Sequence, residues 1–371
     1  MPRRASWVLW LPAVLLAIVF LVILLWLIVR NQGWRSPYNL NLAEFRTAEP
    51  GSDSIFVSVA SYRDERCSAT LRSLFERASA PRNIFVGLCI QNKKGDPPCP
   101  DGSICIEGQG CFDSHIRVHH MRHNEAKGPA YARYFCAQMY RGERYFLQID
   151  SHMDFVQDWD AKIIDQQRRC PLPPGSRGAV LTHYPPADMT DEVRRGAVTT
   201  HICKGKFEGD GMVSFLSMQH GNRPVPLKTY FVAGGFLFGP GSLVRDVPYD
   251  PHLAYLFWGE ELLLAARMWT HGYDLFSPAA AVCSHVYERF DKPNVFVDIS
   301  HAGHEKAMER SQEAVRDRVR KLLGWAPAAG GHHPDLEKYG MGTARPVAQY
   351  MREAQIDPAK RTVGSHCERP G

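Results

Sequence analysis

Hydrophobic and polar positions divide this chain into short apolar runs and amphipathic stretches. Apolar runs of strand length occupy four segments in the first half, residues 55–60, 84–90, 116–121 and 145–149. Residues 67–78 and 129–140 instead carry apolar side chains at helical spacing, which is typical of helices with one buried face. Strands that alternate with helices predict an α/β fold, a mostly parallel Rossmann-like sheet flanked by helices. Ligands of such sheets bind beyond the carboxyl ends of the strands.

The second half continues the pattern. Residues 179–185 and 230–239 are apolar enough for strands, and Gly234 and Gly235 inside the second run indicate a bulge or a close approach by a ligand. Residues 260–269 predict a helix that Gly272 ends, and a further strand is expected to end at His285. There is no G-x-G-x-x-G sequence, which argues against dinucleotide binding.

The N-terminal segment follows a different pattern, with no charged residue from Trp7 to Val29. At about 1.5 Å per residue, a helix of this length crosses a hydrocarbon core of about 30 Å. A cleaved signal peptide is the alternative. Signal peptides, however, have a shorter apolar region followed by a small-residue cleavage site, and no such site follows this run. The sequence therefore predicts one membrane anchor at 7–29, after a cytosolic tail at 1–6. A stem at 30–52, a large folded domain at 53–363 and a tail at 364–371 complete the predicted organisation.

Composition and charge narrow the class of protein. The 371 residues are 44% hydrophobic and 22% charged, with a net charge of +5, and this length suits one large α/β domain or two smaller ones. The charge is spread out, and no block of Lys and Arg of the kind that follows a nucleic-acid backbone is present. We therefore expect no nucleic-acid partner.

The cysteines bear on the compartment. Of ten cysteines, Cys99, Cys105 and Cys111 lie in a loop rich in Gly, Pro and Asp, where disulfides would hold a segment with little core. Zinc is the weaker interpretation, because the spacing differs from the usual C-x2–4-C. Cys89 and Cys136 are expected to be buried thiols. Because arginines flank the apolar run on both sides, the cysteines decide the orientation, and we expect the catalytic domain to face a secretory lumen.

Candidate chemistry begins where the fourth strand ends. Asp150 and His152 are two residues apart, so in an extended segment they project to one side, and a carboxylate with an imidazole can bind a divalent ion such as Mn²⁺. The alternative is a capping Asp and a surface His in a turn. Asp154 continues the alternation and is interpreted as a residue at the entry to a helix.

Three further features suggest a ligand site, each with a plain structural alternative. Trp258, Glu260 and Glu261 could hold a sugar, although Glu in a first helical turn is favourable anyway by about 0.3–1 kcal/mol. Lys127 and Arg133 surround a helix N-terminus, which suits phosphate, yet they could be a solvated basic helix end. His285 alone would more often be a structural histidine.

Taken in order, these segments resemble a GT-A glycosyltransferase and, more narrowly, the polypeptide α-N-acetylglucosaminyltransferase family. The resemblance covers most of residues 53–363 and extends to mucin-type polypeptide GalNAc-transferases. It is carried by IFVSVASYRDE, EAKGPAYARY, YFLQIDSHMDF, LTHYPP, VAGGFLFGPG, FWGEELLLAARMWTHGYDLFSP and KYGMGTARPVAQY.

The resemblance implies a role for each candidate residue. Asp150, His152 and His285 would bind Mn²⁺, which holds the diphosphate of UDP-GlcNAc. The residues implied to contact the nucleotide or the sugar are Ser61, Tyr62, Arg63, Asp64, Lys127, Gly128, Arg133, Asp150, Ser151, Gly234, Gly235 and Trp258. Glu260 and Glu261 would act in catalysis beside the incoming hydroxyl.

The activity that the resemblance implies is transfer of GlcNAc, with retention, to Thr, Ser or hydroxyproline of a protein or peptide acceptor. With the anchor, it implies a single-pass type II Golgi membrane protein. One alternative is another UDP-sugar donor such as UDP-GalNAc, since one or two side chains can read a hydroxyl epimer. The others are a membrane-anchored sugar-binding module without activity and a metal-dependent hydrolase.

Overall fold

The structure is a computed structural model, and it describes residues 47–49, 51–288, 291–325 and 333–367. The predicted tail at 1–6 and anchor at 7–29, with most of the predicted stem, lie outside these residues. None of the helices in the described part combines the length and the apolar character that crossing a membrane requires.

Helices separate some of the strands, whereas other strands follow one another directly along the chain. The strands are β1 (Ile55–Tyr62), β2 (Ile84–Asn92), β3 (Cys105–Ile106), β4 (Gly110–Cys111), β5 (Ile116–Arg122), β6 (Tyr145–Asp150), β7 (Met153–Phe155), β8 (Gly178–Thr182), β9 (Val198–Phe207), β10 (Val213–Gly221), β11 (Leu227–Thr229), β12 (Phe236–Pro240), β13 (Tyr273–Ser277), β14 (Cys283–His285), β15 (Ile356–Asp357) and β16 (Thr362–Val363). The α-helices are α1 (Cys67–Glu76), α2 (Pro129–Ala137), α3 (Trp159–Arg168), α4 (Asp191–Arg194), α5 (Leu243–Asp246), α6 (Glu260–Thr270), α7 (Val295–His301), α8 (Glu305–Leu322) and α9 (Val347–Glu353).

One large sheet organises the domain. Its eight strands lie in the order β11-β13-β8-β12-β6-β1-β2-β5. The pairs β6–β1, β1–β2, β2–β5 and β13–β8 are parallel, whereas β12 runs antiparallel to both of its neighbours and β11 to β13. The α/β prediction is therefore confirmed, and the sheet is mixed. Because β12 is reversed, its amino end lies at the same edge as the carboxyl ends of β6 and β8.

The central strands are apolar along their length because both of their faces are covered. In helix α1, Leu74 and Phe75 are fully buried, and the indole nitrogen of Trp159 donates to the Leu74 carbonyl at 2.9 Å. Burying each such side chain contributes about 1.5–3 kcal/mol. These contacts fix α1 against α3.

The disulfide prediction for the cysteine-rich loop is confirmed. Cys67 pairs with Cys99, and Cys105 pairs with Cys111. Cys89 and Cys136 are free and buried, as expected, and so are Cys170 and Cys283. A third disulfide, Cys203–Cys367, joins β9 to a segment 164 residues away that the sequence pattern left without a structural role.

Three local predictions were wrong. Gly234 and Gly235 lie in a turn before β12 rather than inside a strand, and the bridge between Ala233 and Phe236 closes that turn. His152 follows β6 in a bend, not in a continuous strand. Asp154 lies on β7, where it accepts a hydrogen bond from Ser73 at 2.6 Å, because a short second strand starts immediately after the bend.

Candidate active site

A cavity of about 770 Å³ lies at the edge of the sheet where β6 and β8 end and β12 begins. Its polar wall includes Asp150 from the end of β6, His285 from β14, and Glu260 and Glu261 from the first turn of α6. The position agrees with the rule that α/β sheets place ligands beyond the carboxyl ends of their strands.

Asp150, His152 and His285 form a cluster at this edge. Each offers one ligand atom, and these atoms all lie within 4.8 Å of one another. His285 Nε2 is 3.2 Å from Asp150 Oδ2, and the two imidazole rings have centroids 4.6 Å apart. The antiparallel pairing of β14 with β7 sets His285 opposite Met153, next to His152. One carboxylate and two imidazoles fit a divalent transition-metal ion such as Mn²⁺.

Asp64 binds His152 on the side of the imidazole that carries Nδ1. The buried Asp64 carboxylate accepts hydrogen bonds from Ser151 Oγ at 2.6 Å and from His152 Nδ1 at 2.8 Å. It also accepts the Arg66 amide at 2.9 Å, which fixes the loop after β1. With Nδ1 engaged in this way, a ligand bond from His152 would use Nε2, as in the carboxylate–histidine–metal arrangement of many metal sites.

Arg133 lies buried between two carboxylates of the cavity. Its guanidinium donates to Asp150 at 3.1 Å and to Glu260. Burial alone would raise the pKa of Asp150, but the hydrogen bond from His285 and the charge of Arg133 hold that pKa well below its usual range. Burial also raises the pKa of Glu260, against the opposing charge of Arg133. The arrangement keeps Asp150 ionised and ready to act as a ligand.

Glu261 has a different environment. Its two carboxylate oxygens accept hydrogen bonds from Tyr184 Oη at 2.6 Å and from the Gly234 amide at 2.7 Å. Burial raises the pKa of Glu261 to about 7, while these two hydrogen bonds oppose the rise. A carboxyl group with such a pKa can exchange a proton near neutral pH, which is a property of catalytic acids and bases.

Both glycines of the turn before β12 are needed for close approach. A Cβ on Gly235 would lie 3.0 Å from Asp150 Oδ2, and one on Gly234 would lie 3.2 Å from Arg133 Nη1. The Gly234 carbonyl accepts from Gln148 Nε2 at 2.5 Å, which ties the turn to β6. The sequence analysis expected a ligand or a bulge here, whereas the groups close to this turn are side chains of the site itself.

The nucleotide candidates at the end of β1 and directly after it are engaged with other protein groups. Tyr62 Oη donates to Asp298 at 2.7 Å, and Arg63 binds Asp298 at 2.6 Å and Asp96 at 2.9 Å. Ser61 is buried, with its carbonyl accepting from Gln91. The two aspartates lay outside the sequence motifs, and nothing in their sequence context indicated this role.

The candidate ligand-binding residues around α2 lie in different environments in the structure. Gly128 precedes the helix with φ of 93°, a conformation that favours glycine. Lys127 is exposed, with its ammonium 5.0 Å from the centre of the Tyr131 ring. Arg133, four residues into the same helix, faces the cavity instead. Among the described residues, Ser61, Tyr62, Arg63, Asp64, Lys127, Gly128 and Ser151 are not part of the cavity lining, whereas Trp258 is.

Several cavity residues escaped the sequence analysis. Tyr184 lies in the LTHYPP segment, which is part of the family resemblance, but nothing singled out the tyrosine. The other lining residues not anticipated are Pro129, Pro185, Pro186, Ala187, Thr200, Phe215, Leu216, Ser217, Gln219, Phe257 and Tyr287. Most come from β10 and from loops whose position depends on tertiary packing.

One of two similar solved structures shows the fold. A crystal structure of GalNAc-T7 with UDP, GalNAc and Mn²⁺ matches with a TM-score of 0.53 and 14% identity, over 85% of this chain. The chain spans 59% of that protein's length. A crystal structure of residues 1–349 of TarS from S. aureus matches with a TM-score of 0.39 and 13% identity, over 72% of each chain.

At the level of sequence, no curated protein matches the chain. The family model described as Glycosyltransferase (GlcNAc) matches residues 54–106 and 102–360. These two matches include every residue of the polar cavity wall and the whole metal-ligand cluster. The chain therefore belongs to the glycosyltransferase (GlcNAc) family, and its fold matches that of GT-A glycosyltransferases.

Proposed function

We propose that this protein transfers GlcNAc from UDP-GlcNAc, with retention of anomeric configuration, to a hydroxyl of Thr, Ser or hydroxyproline in a polypeptide. The observation that carries the proposal is the cluster of Asp150, His152 and His285, two of which line the same cavity as Glu260 and Glu261. Membership of the glycosyltransferase (GlcNAc) family supports a transferase. The donor, the linkage and the acceptor are the proposed part.

The residues have distinct proposed tasks at the donor. Asp150, His152 and His285 would hold a divalent ion, which when bound supplies positive charge for the diphosphate of the donor. Arg133 keeps Asp150 ionised through the contact at 3.1 Å. Asp64 keeps His152 oriented. None of these side chains has to move a proton for UDP to leave.

The glutamates are proposed to act at the sugar and the acceptor. Carboxylates near the anomeric carbon stabilise the positive charge that develops there as the leaving group departs. Glu260 is held by Arg133 and Glu261 by Tyr184, so neither is placed as an unencumbered nucleophile. We therefore favour a same-face mechanism, in which the leaving phosphate assists the acceptor hydroxyl and Glu261 positions it.

The proposed setting is the Golgi membrane, with one N-terminal helix and a luminal catalytic domain. Three disulfides support an oxidising compartment, because such bonds persist in secretory lumens and are rare in the cytosol. The uncharged run at 7–29 supports the anchor.

The test is release of UDP and transfer by the full-length chain in detergent, with a panel of UDP-sugars, with and without Mn²⁺. We expect UDP-GlcNAc to be the preferred donor, with turnover that requires the ion and is lost in His152→Ala. His304→Ala, at an exposed position before α8, is the matched control. Preference for UDP-GalNAc would overturn the donor assignment alone. Folded protein that binds sugar but releases no UDP would favour the sugar-binding module.

A further inference from the structure

The mouth of the cavity is apolar. Among the described residues, seven large apolar side chains are exposed: Leu172, Leu216, Val225, Phe257, Trp258, Tyr287 and Val297. Four of the seven line this one cavity, namely Leu216, Phe257, Trp258 and Tyr287, and we call them the apolar collar. Phe257 is 54% exposed and Trp258 is 40% exposed. Exposed apolar groups gathered at one place, with polar groups deeper inside, mark a binding surface.

Strand β10 runs along the same cavity and has one unpaired side. In the described part of the chain it pairs only with β9. Two hydrogen bonds at its ends show which main-chain groups face β9. The Met212 carbonyl accepts from the Glu208 amide at 2.8 Å, and the Asn222 amide donates to the Ala197 carbonyl at 2.8 Å. Even-numbered residues of β10 therefore direct their main-chain groups towards β9, because the direction alternates along a strand.

Odd-numbered residues of β10 direct their main-chain groups to the side away from β9. The Val213 carbonyl confirms this, since it accepts from the Gly259 amide at 3.2 Å, outside the β9 pairing. The pairing contains a bulge in which Cys203 of β9 has no partner. Because the extra residue belongs to β9, the main-chain groups of β10 alternate in direction without interruption. The residues whose N–H and C=O groups then face away from β9 are Phe215, Ser217 and Gln219, and all three line the cavity.

We propose that the acceptor is a polypeptide that binds in an extended conformation along the outer edge of β10. Its main chain pairs with Phe215, Ser217 and Gln219, and an apolar side chain packs on the collar. This inference rests on the proposed function and specifies how the acceptor is held. Outward main-chain groups on a strand recur about every 6.8 Å. The main chain of an extended peptide matches this repeat with alternating donors and acceptors, whereas a glycan or a lipid does not.

The edge has the properties that strand addition requires. Main-chain pairing supplies affinity without strong sequence dependence, and pockets for alternate side chains supply selectivity. No described residue makes a main-chain hydrogen bond to Phe215, Ser217 or Gln219 from the outer side. At the start of the edge, the Gly259 amide already pairs with β10, immediately before Glu260 and Glu261. A peptide that continues this pairing enters the cavity that contains both glutamates.

The first test uses the full-length chain, UDP-GlcNAc and a peptide library, acetyl-Lys-Xaa-Xaa-Thr-Xaa-Xaa-Lys-amide. KM is measured for the best library member and for versions N-methylated at alternate positions. Only every second amide of an added strand faces its partner strand. We therefore expect N-methylation of one set of alternate residues to raise KM at least ten-fold, and N-methylation of the other set to have little effect. Equal effects at both sets of positions would overturn the proposal.

Protein variants give an independent test. Ser217→Pro removes an amide that faces away from β9, so the β9 pairing should persist, whereas Met218→Pro removes one that faces β9 and should lower Tm. We expect Ser217→Pro to raise the KM for the peptide at least ten-fold over that of the parent. The rate of UDP-GlcNAc hydrolysis, measured in parallel, reports on the donor site. Phe257→Ser should also raise this KM, while Leu172→Ser, at an exposed apolar position outside the collar, should not.

The outcomes separate this inference from the proposed transferase activity. UDP release from UDP-GlcNAc without glycosylation of any library member would overturn the proposal that a polypeptide binds along the β10 edge. The donor assignment would still stand. Peptide glycosylation that is unchanged in Ser217→Pro would overturn the edge alone. Absence of both UDP release and transfer would instead contradict the transferase proposal.

Discussion

The Asp64 carboxylate lies 2.8 Å from His152 Nδ1 and accepts the Ser151 hydroxyl with the same oxygen, Oδ2. A carboxylate in this position orients the imidazole and increases its basicity as a ligand, and removing such a partner typically costs about 10–100-fold in metal affinity. We predict that Asp64→Asn weakens Mn²⁺ binding by about this factor, measured by calorimetric titration. Asp165→Asn, at an exposed ion pair with Arg169, is the control. Equal affinity in both variants would refute the role of Asp64.

The turn before β12 gives a steric prediction. In Gly235→Ala the new methyl group would lie 3.0 Å from Asp150 Oδ2, closer than ordinary van der Waals contact. The ligand carboxylate must therefore shift, and we expect Mn²⁺ affinity to fall at least ten-fold with little change in secondary structure. Gly209→Ala, where the added methyl group meets nothing within 4 Å, should bind Mn²⁺ as the parent does. Unchanged affinity in Gly235→Ala would show that Asp150 is not a ligand.

Arg133 gives a prediction about stability. It is buried and neutralises Asp150 and Glu260, and breaking a buried pair leaves an uncompensated charge that costs about 3–5 kcal/mol. We expect Arg133→Met to lower the free energy of unfolding by about this amount in a denaturant titration. Adding Glu260→Gln should recover part of the loss, because one of the two uncompensated charges is removed. Simple additivity of the two substitutions would count against this coupling.

Glu261 gives a prediction about pH. Burial raises its pKa to about 7, from a usual value of 4.5, so the folded state binds more protons than the unfolded state between these pH values. Stability from this group is therefore lost as the pH rises from about 4.5 to about 7, by about 3 kcal/mol. Glu261→Gln should flatten this decline in pH-dependent thermal unfolding, and an unchanged decline would assign it to another group.

The same residue should control transfer. If the ionised form of Glu261 positions the acceptor, the rate of transfer rises with pH through about 7. Tyr184→Phe removes the hydrogen bond that opposes the rise of the pKa, so we expect its rate profile to move to higher pH. A rate profile that is identical in Tyr184→Phe and the parent would contradict this link.

The sequence predicted the elements that are continuous in the chain. The strand that ends at Asp150 and the helix that starts at Glu260 have strong periodicity and clear boundaries, so the pattern located both. The metal cluster also emerged from the sequence, but only once a family resemblance related His285 to Asp150 and His152. Periodicity cannot relate residues that are 135 positions apart and meet through the pairing of β14 with β7.

The remaining parts of the site depend on tertiary packing. Asp64 was grouped with the nucleotide-binding loop because it follows β1, yet the bend after β6 brings His152 to it. Gly234 was interpreted as part of a strand because its neighbours are apolar, although a turn there satisfies both its amide and its carbonyl through Glu261 and Gln148. The outer edge of β10 had no sequence signal, since an unpaired edge is defined only by the absence of a neighbouring strand.

The most direct test of the central claim is anomalous diffraction from crystals of the protein grown with Mn²⁺ and UDP. We predict one strong anomalous peak, from an ion bonded to Asp150, His152 Nε2 and His285, with the UDP diphosphate on the same ion. An ion bound elsewhere in the cavity, or UDP bound with these three side chains making no contact to metal, would contradict it.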